Sequence, residues 1–189
     1  GNSVILKPAE STSLSAFDFG EMTLGLFPPG VINVVSGLGI TTGAAIVKHP
    51  DVPLISLTGS REVGITTAQN GAAYLKHIHL ELGGKNAIIV MDDADLDLAV
   101  EGIIWSAFGT SGQRCTAASR VIAGKSVYDA LVGKLVERTE KLRLGDGLED
   151  STDVGPVVNR AALEKIHSYT EIGKDEGAPL RTAGEVATE

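Results

Sequence analysis

The chain has one cysteine, Cys115, in Gly112-Gln-Arg-Cys-Thr-Ala117, among small polar residues and directly after Arg114. Cysteine is the most nucleophilic side chain even when only a few per cent is thiolate, and a neighbouring guanidinium favours the charged form. A lone cysteine is otherwise a small buried hydrophobe, so packing is the competing reading. Glu81 lies in His77-Ile-His-Leu-Glu-Leu82, which alternates with period two. Ile78, Leu80 and Leu82 share one face, and His77, His79 and Glu81 share the other. Gly83-Gly84 follow, where the backbone can approach a ligand closely. A carboxylate at a strand end beside such a turn is a candidate general base, because burial would raise its pKa towards neutrality. The plain alternative is a polar strand face.

Two glycine clusters sit where an apolar run hands over to a helical pattern. Ser36-Gly-Leu-Gly-Ile-Thr-Thr-Gly43 has the spacing G-x-G-x-x-x-G, one residue off the dinucleotide fingerprint. In Leu57-Thr-Gly-Ser-Arg-Glu-Val-Gly64, Ser60 can cap the next helix while its first N–H groups face an anion. An ordinary βα turn is the competing reading for both. Lys7 closes a strand in Leu6-Lys-Pro-Ala-Glu10, where Pro8 ends the strand and Lys7 and Glu10 could address one small polar ligand. Gly124-Lys125-Ser126 imitates the end of a phosphate-binding loop, but the required glycine five places earlier is Ser119.

These residues need elements to hold them. Strand-like runs fall at Val4–Lys7, Val31–Val35, Leu54–Leu57, Ile78–Leu82, Ala87–Met91 and Val121–Ala123. Helical patterns cover Ser13–Leu26, Ile40–His49, Arg61–Ala73 and Leu96–Thr110, the last capped by Asp95 and carrying Trp105 as a core residue. Ser126 and Asp129 suggest a capping box for a helix through Leu142, closed by Gly145, and a polar amphipathic helix follows from Arg160 to Lys174. Repeated strand–helix–strand spacing predicts an α/β fold with a Rossmann-like, mostly parallel sheet and flanking helices, plus the start of a second α/β domain. The boundary is placed at 112/113, between residues 1–112 and residues 113–189.

Composition removes whole classes of function. Of 189 residues, 43% are hydrophobic and 21% charged, which supports a packed core over disorder. Sixteen basic against 24 acidic residues give a net charge of −8, which argues against nucleic acid or an anionic membrane as partner. No apolar run approaches the ~20 residues of a membrane span, and no signal peptide is visible. One cysteine excludes an internal disulfide and a multi-thiolate zinc site, and no metal site is expected. The chain reads as acidic and cytoplasmic, and both of its ends read as cut.

Taken together, Gly1-Asn-Ser-Val-Ile-Leu-Lys-Pro-Ala-Glu10, Phe27-Pro-Pro-Gly-Val-Ile-Asn33, Leu57-Thr-Gly-Ser60, Leu80-Glu-Leu-Gly-Gly-Lys-Asn86, Gly112-Gln-Arg-Cys-Thr-Ala117 and Val154-Gly-Pro156 resemble the aldehyde dehydrogenase superfamily in order and separation. The resemblance runs from Gly1 to about Gly177. It implies that Cys115 is the nucleophile, adding to an aldehyde to form a thiohemiacetal that becomes a thioester on hydride loss. It implies that Glu81 activates the cysteine or the water that cleaves the thioester, and that the Cys115 N–H donates to the oxyanion. Residues 1–112 would be the cofactor-binding domain. Lys7 and Glu10 would hold the adenosine ribose, Gly59 and Ser60 would lie near the pyrophosphate, and Gly83 near the nicotinamide. A glutamate at position 10 suits a free ribose 2′-hydroxyl and favours NAD, while Lys7 could tolerate the 2′-phosphate of NADP.

The chain departs from the family pattern in lacking the upstream asparagine that completes the oxyanion hole and the downstream glutamate that grips the nicotinamide ribose. It also lacks part of the catalytic domain and the oligomerisation arm. The resemblance implies as partners a small aldehyde or ester substrate and further copies of the chain in a homo-oligomer. Two alternatives stay open. One is a cofactor-independent esterase using the same acyl-enzyme. The other is a non-catalytic nucleotide-binding or assembly fragment.

Overall fold

The computed structural model describes residues 1–187, which divide into two compact units, the first Gly1–Leu82 and the second beginning at Gly83. This division falls earlier in the chain than the functional boundary expected at 112/113.

The first unit runs β1 (Val4–Leu6), α1 (Ser13–Met22), β2 (Ile32–Val34), α2 (Ala44–Lys48), β3 (Leu54–Gly59), α3 (Arg61–Ala72) and β4 (His77–Leu82). β1 pairs with β2 and β3 with β4, both parallel. In the second pair Leu54 stands opposite His77 and Gly59 opposite Leu82, without a bulge. Glycine lets the helices lie close to these strands. A Cβ at Gly64 of α3 would stand 2.8 Å from Leu82 Cδ2, and one at Gly20 of α1 would stand 2.9 Å from Val34 Cγ2. The expected helix 13–26 ends at Met22, where Thr23 Oγ1 donates to the Gly20 carbonyl at 2.7 Å. Gly25 then turns the chain at φ +80°. The expected helix 40–49 is a π-type turn over Gly39–Gly43 leading into the short α2.

The second unit runs β5 (Asn86–Val90), α4 (Leu96–Phe108), β6 (Ala118–Ala123), α5 (Tyr128–Glu140) and α6 (Arg160–Asp175). β5 and β6 pair in parallel. Val90, Val100, Ile103, Ile104 and Leu131 form its core, with Leu131 only 2% exposed. Burying such a side chain stabilises by roughly 1.5–3 kcal/mol. Asp95 caps α4 as expected, its Oδ1 accepting from the N–H groups of Asp97 at 3.0 Å and Leu98 at 3.1 Å. Arg138 of α5 clasps Glu101 of α4 through two hydrogen bonds, at 2.7 and 3.3 Å.

The parallel expectation therefore holds, with the hydrogen-bonded strands grouped as three pairs. Other expectations are corrected. Trp105 is not core: it is 67% exposed, because it lies on the outer side of α4 and carries the Arg114 guanidinium 4.2 Å above its ring. Ser126 makes no capping box. α5 starts two residues later, its N-terminal position being Val127 with no side-chain cap, and it ends at Glu140, ahead of Gly145. Among the described residues no helix is long and apolar enough to cross a membrane.

Candidate functional site

In the first unit, the end of β1 and the first glycine turn meet. Lys7 Nζ donates to the carbonyls of Pro8 at 2.7 Å and Gly37 at 2.9 Å. Glu10 Oε1 accepts from the Gly39 N–H at 2.5 Å and lies 3.9 Å from Lys7 Nζ. One side chain thus grips the turn by its carbonyl and the other by its N–H. Proline at position 8 forces the break that swings Glu10 round to it. The Glu10 carboxyl is held below its ordinary value by its own backbone N–H, then by the Gly39 N–H and the Lys7 charge. Where the sequence suggested one small polar ligand for the pair, both side chains meet on the Ser36–Gly39 turn of the chain itself. The Lys7 side chain is 17% exposed and the Glu10 side chain 47%, so the carboxylate is the group still open to a ligand.

The second glycine turn joins β3 to α3. Ser60 has extended backbone angles, and its Oγ accepts from the Val63 N–H at 3.3 Å. The cap read from the sequence is present, and it places the first turn of α3 at the carboxyl ends of β3 and β4. Ligands of open α/β sheets bind at such strand ends, and a helix start there favours a negative group. Glu81 stands opposite Thr58, one residue before this turn. It is exposed, on the same face as the exposed His77 and His79, while Ile78, Leu80 and Leu82 are half-buried on the other. The period-two reading is correct, and nothing buries this carboxylate within its own unit.

In the second unit, Gly83 is exposed, with nothing within 4 Å of the position a Cβ would take. Cys115 is exposed and free, in a tight loop between α4 and β6. This loop is unusual. Thr110, Ser111 and Gly112 have φ of +53°, +56° and +68°, three successive left-handed residues. For the two non-glycines this costs roughly 1–2 kcal/mol each, and such strain persists only where surroundings over-determine it. Here they do. Ser111 Oγ donates to the Gly155 carbonyl at 2.7 Å, and Gln113 Oε1 accepts from the Val158 N–H at 3.1 Å. Asn86 Nδ2 donates to the carbonyls of Cys115 at 2.7 Å and Ala117 at 3.1 Å. Ser106 Oγ accepts from the Ala118 N–H at 3.1 Å.

Arg114, read from sequence as a partner of the thiolate, lies over Trp105 and donates from Nη2 to the Trp105 carbonyl at 3.1 Å. Its head group is a brace of the loop. The backbone N–H of Cys115 makes no hydrogen bond among the described residues, which leaves it available to a substrate oxygen. The arrangement offers a nucleophile on a strained, externally held loop with an amide donor at the same residue.

Comparison with known proteins decides the lineage. The sequence profile of the aldehyde dehydrogenase family matches residues 1–189. The chain belongs to that family. It is 46% identical over 193 aligned residues to 1-pyrroline-5-carboxylate dehydrogenase of Geobacillus thermodenitrificans (strain NG80-2), covering 98% of this chain and 37% of that protein. Its fold superposes on the HpcC protein of Thermus thermophilus with a TM-score of 0.96 at 42% identity, covering 99% of this chain and 36% of that one. It superposes equally, TM-score 0.96 at 36% identity, on betaine aldehyde dehydrogenase of Staphylococcus aureus in complex with NAD+, covering 99% and 37%. The chain thus spans little more than a third of the length of these three proteins.

Sequence reading located the aldehyde dehydrogenase motifs and missed what holds them. Asn86 ends the glutamate motif, Ser106 faces the loop from α4, and Val154-Gly-Pro156 supplies the carbonyl that Ser111 binds. Their roles depend on contacts 12 to 44 residues apart. No local pattern carries that information. Among the described residues no cluster of His, Cys, Asp and Glu could hold a metal ion.

Proposed function

We propose that this chain carries the nucleophile, the base and most of one cofactor half-site of an NAD-dependent aldehyde dehydrogenase that oxidises an aldehyde to a carboxylic acid. The observation that carries this reading is the Cys115 loop: an exposed cysteine whose backbone N–H is unengaged, on a strained backbone held by the side chains of Asn86, Ser106, Ser111, Gln113 and Arg114. Cys115 as thiolate adds to the aldehyde carbon, forming a thiohemiacetal whose oxyanion accepts from the Cys115 N–H. The carbon then loses hydride and becomes a thioester. NAD supplies the hydride acceptor. Glu81 takes a proton from water as its oxygen attacks the thioester carbon, the adduct expels the Cys115 thiolate and releases the carboxylic acid, and Glu81 then gives its proton to solvent. A positioned base of this kind contributes about 10²–10⁴ in rate, and a single oxyanion donor about 10²–10³.

The residues of the first unit fit a dinucleotide. The open Glu10 carboxylate suits a ribose diol, with Lys7 fixing the turn beside it, and Gly59 with Ser60 starts α3 where a pyrophosphate is favoured. Gly83 leaves open space for a flat ring. NADP remains an outcome of the test, decided by whether Glu10 repels a 2′-phosphate. On this reading residues 1–112 bind cofactor and residues 113–189 begin the catalytic domain. The working enzyme is a cytoplasmic homo-oligomer completed by further segments, in keeping with exposed apolar side chains such as Ile40, Leu75 and Leu148.

The test is aldehyde-dependent appearance of reduced nicotinamide by the purified chain, with NAD and with NADP, across aliphatic and aromatic aldehydes. A signal lost in Cys115→Ala upholds the reading. Silence with aldehydes but Cys115-dependent turnover of a chromogenic ester makes the chain a thiol esterase. Silence in both leaves the nucleotide-binding fragment.

A further inference from the structure

The two motifs that carry chemistry in this family are read as separate signals, the glutamate motif ending at Asn86 and the cysteine motif centred on Cys115. Within the second unit they are joined directly. Asn86 is the first residue of β5, and its carboxamide Nδ2 donates to the carbonyl of Cys115 at 2.7 Å and to that of Ala117 at 3.1 Å. The first is short for a neutral N–H···O bond. An amide NH₂ carries two donors, and here both are used on the peptide chain that holds the nucleophile. The backbone register shows the same join: β5 and β6 pair with Asn86 opposite Ala118, and the regular register is shifted between Asn86 and Ala87. The irregularity lies where the side chain reaches into the loop.

We propose that Asn86 is a positioning residue for the Cys115 loop, anchoring by its two donated hydrogen bonds the chain that leaves the nucleophile, so that Cys115 and the oxyanion donor on the peptide before it are held from a fixed support. This rests on Cys115 being the acyl-accepting nucleophile. The carbonyl of Cys115 and the N–H of Thr116 share one rigid peptide plane. Tethering that carbonyl and the Ala117 carbonyl two residues on fixes the two peptide planes between which the backbone angles of Thr116 and Ala117 lie. The Cys115 N–H is left unengaged. The other supports of the loop act elsewhere: Ser111 and Gln113 hold its entry and Ser106 holds its exit. Among the described residues only Asn86 grips the carbonyl of Cys115 itself.

The consequence separates two reactions of one sulfur. Acylation by an ester places negative charge on a substrate oxygen and needs the amide donor in place. Alkylation by iodoacetamide is a displacement at carbon that needs thiolate but no oxyanion donor. Because Cys115 is the only cysteine, both are read at one site in the intact chain.

The experiment compares wild type, Asn86→Ala and Asn86→Asp. The aspartate variant is nearly isosteric and removes both donors. Acylation is followed as the burst from 4-nitrophenyl acetate, and alkylation with iodoacetamide is followed across a pH profile. Displacements of an ångström at a reacting centre can cost about 10²-fold. Both variants are expected to acylate about 10²-fold more slowly while the alkylation plateau at high pH changes little. Equal losses in both reactions, or no loss in either, overturn the proposal. If wild type itself does not acylate, the reading of Cys115 as acyl acceptor fails separately. Hydrogen exchange at the amides of residues 115–118 then decides. Faster exchange in both variants than in wild type upholds the tether, and unchanged exchange overturns it.

Discussion

Thr58 stands directly opposite Glu81 in the parallel β3–β4 pair, so the carboxylate and the Gly59–Ser60 turn leave the sheet side by side. The carboxyl ends of adjacent parallel strands are where α/β proteins place ligands. This placement supports the proposed role of Glu81 as the base. Glu81→Gln keeps the shape of the side chain and removes its basicity. Deacylation is expected to slow by about 10²–10⁴, with acylation slowed much less. Burst amplitude against steady-state rate in ester turnover separates the two steps, and equal slowing of both would sink the assignment.

Cys115→Ala tests the division of labour between the units. The dinucleotide contacts assigned to Lys7, Glu10, Gly59 and Ser60 all lie in the first unit, and Cys115 lies in the second. Acyl transfer should vanish while NAD affinity, read by titration calorimetry, stays at the wild-type value. A parallel loss of NAD binding would show that the dinucleotide contacts depend on the cysteine loop.

Much of the scaffold is legible locally. Period-two alternation assigns the Glu81 strand its correct faces, and Ser60 and Asp95 announce their helices because a cap is a contact with the next three residues. The apolar run Val121–Ala123 marks only the second half of β6, since Ala118-Ser-Arg120 has no apolar periodicity and is drawn into the strand by pairing with β5. Trp105 misleads for the opposite reason. A helix that buries Val100, Ile103 and Ile104 must expose its other side, and an aromatic ring there is stabilised by a guanidinium arriving from nine residues away. The candidate residues are visible by type and motif, whereas the tethers on the cysteine loop come from distant chain and have no local signature.

Acid should loosen the segment that anchors the loop. Arg143 donates to Asp153 through Nε at 2.9 Å, Nη2 at 3.1 Å and its backbone N–H at 2.9 Å, holding the Asp153 carboxyl down at about 2. This contact precedes Val154-Gly-Pro156, whose Gly155 carbonyl binds Ser111. A carboxyl with a depressed folded-state pKa stabilises fully above its unfolded value, 3.8, and that contribution is lost as pH falls from there through about 2. Asp153→Asn should lower the urea midpoint at neutral pH and remove the part of its acid dependence that lies between these values. An unchanged acid limb would show that the pair is not coupled to folding.

Two glycines of the site should respond oppositely to alanine. At Gly112 the backbone is left-handed, φ +68°, and an added Cβ would stand 2.8 Å from the Ala107 carbonyl oxygen. That oxygen belongs to the last turn of α4 and cannot swing aside as a side chain would. The left-handed conformation alone costs about 1–2 kcal/mol once a Cβ is present, and the clash adds to it. Gly112→Ala should therefore lower the melting temperature and alter the alkylation rate of Cys115, since the loop must rearrange. At Gly83 φ is not positive and nothing stands within 4 Å, so alanine should leave stability within about 0.5 kcal/mol. If Gly83 lies against the nicotinamide, Gly83→Ala weakens NAD binding while the melting temperature stays put. Unchanged affinity would remove Gly83 from the cofactor site, and a stable Gly112→Ala with wild-type alkylation would show that the strained turn has no hold on the nucleophile.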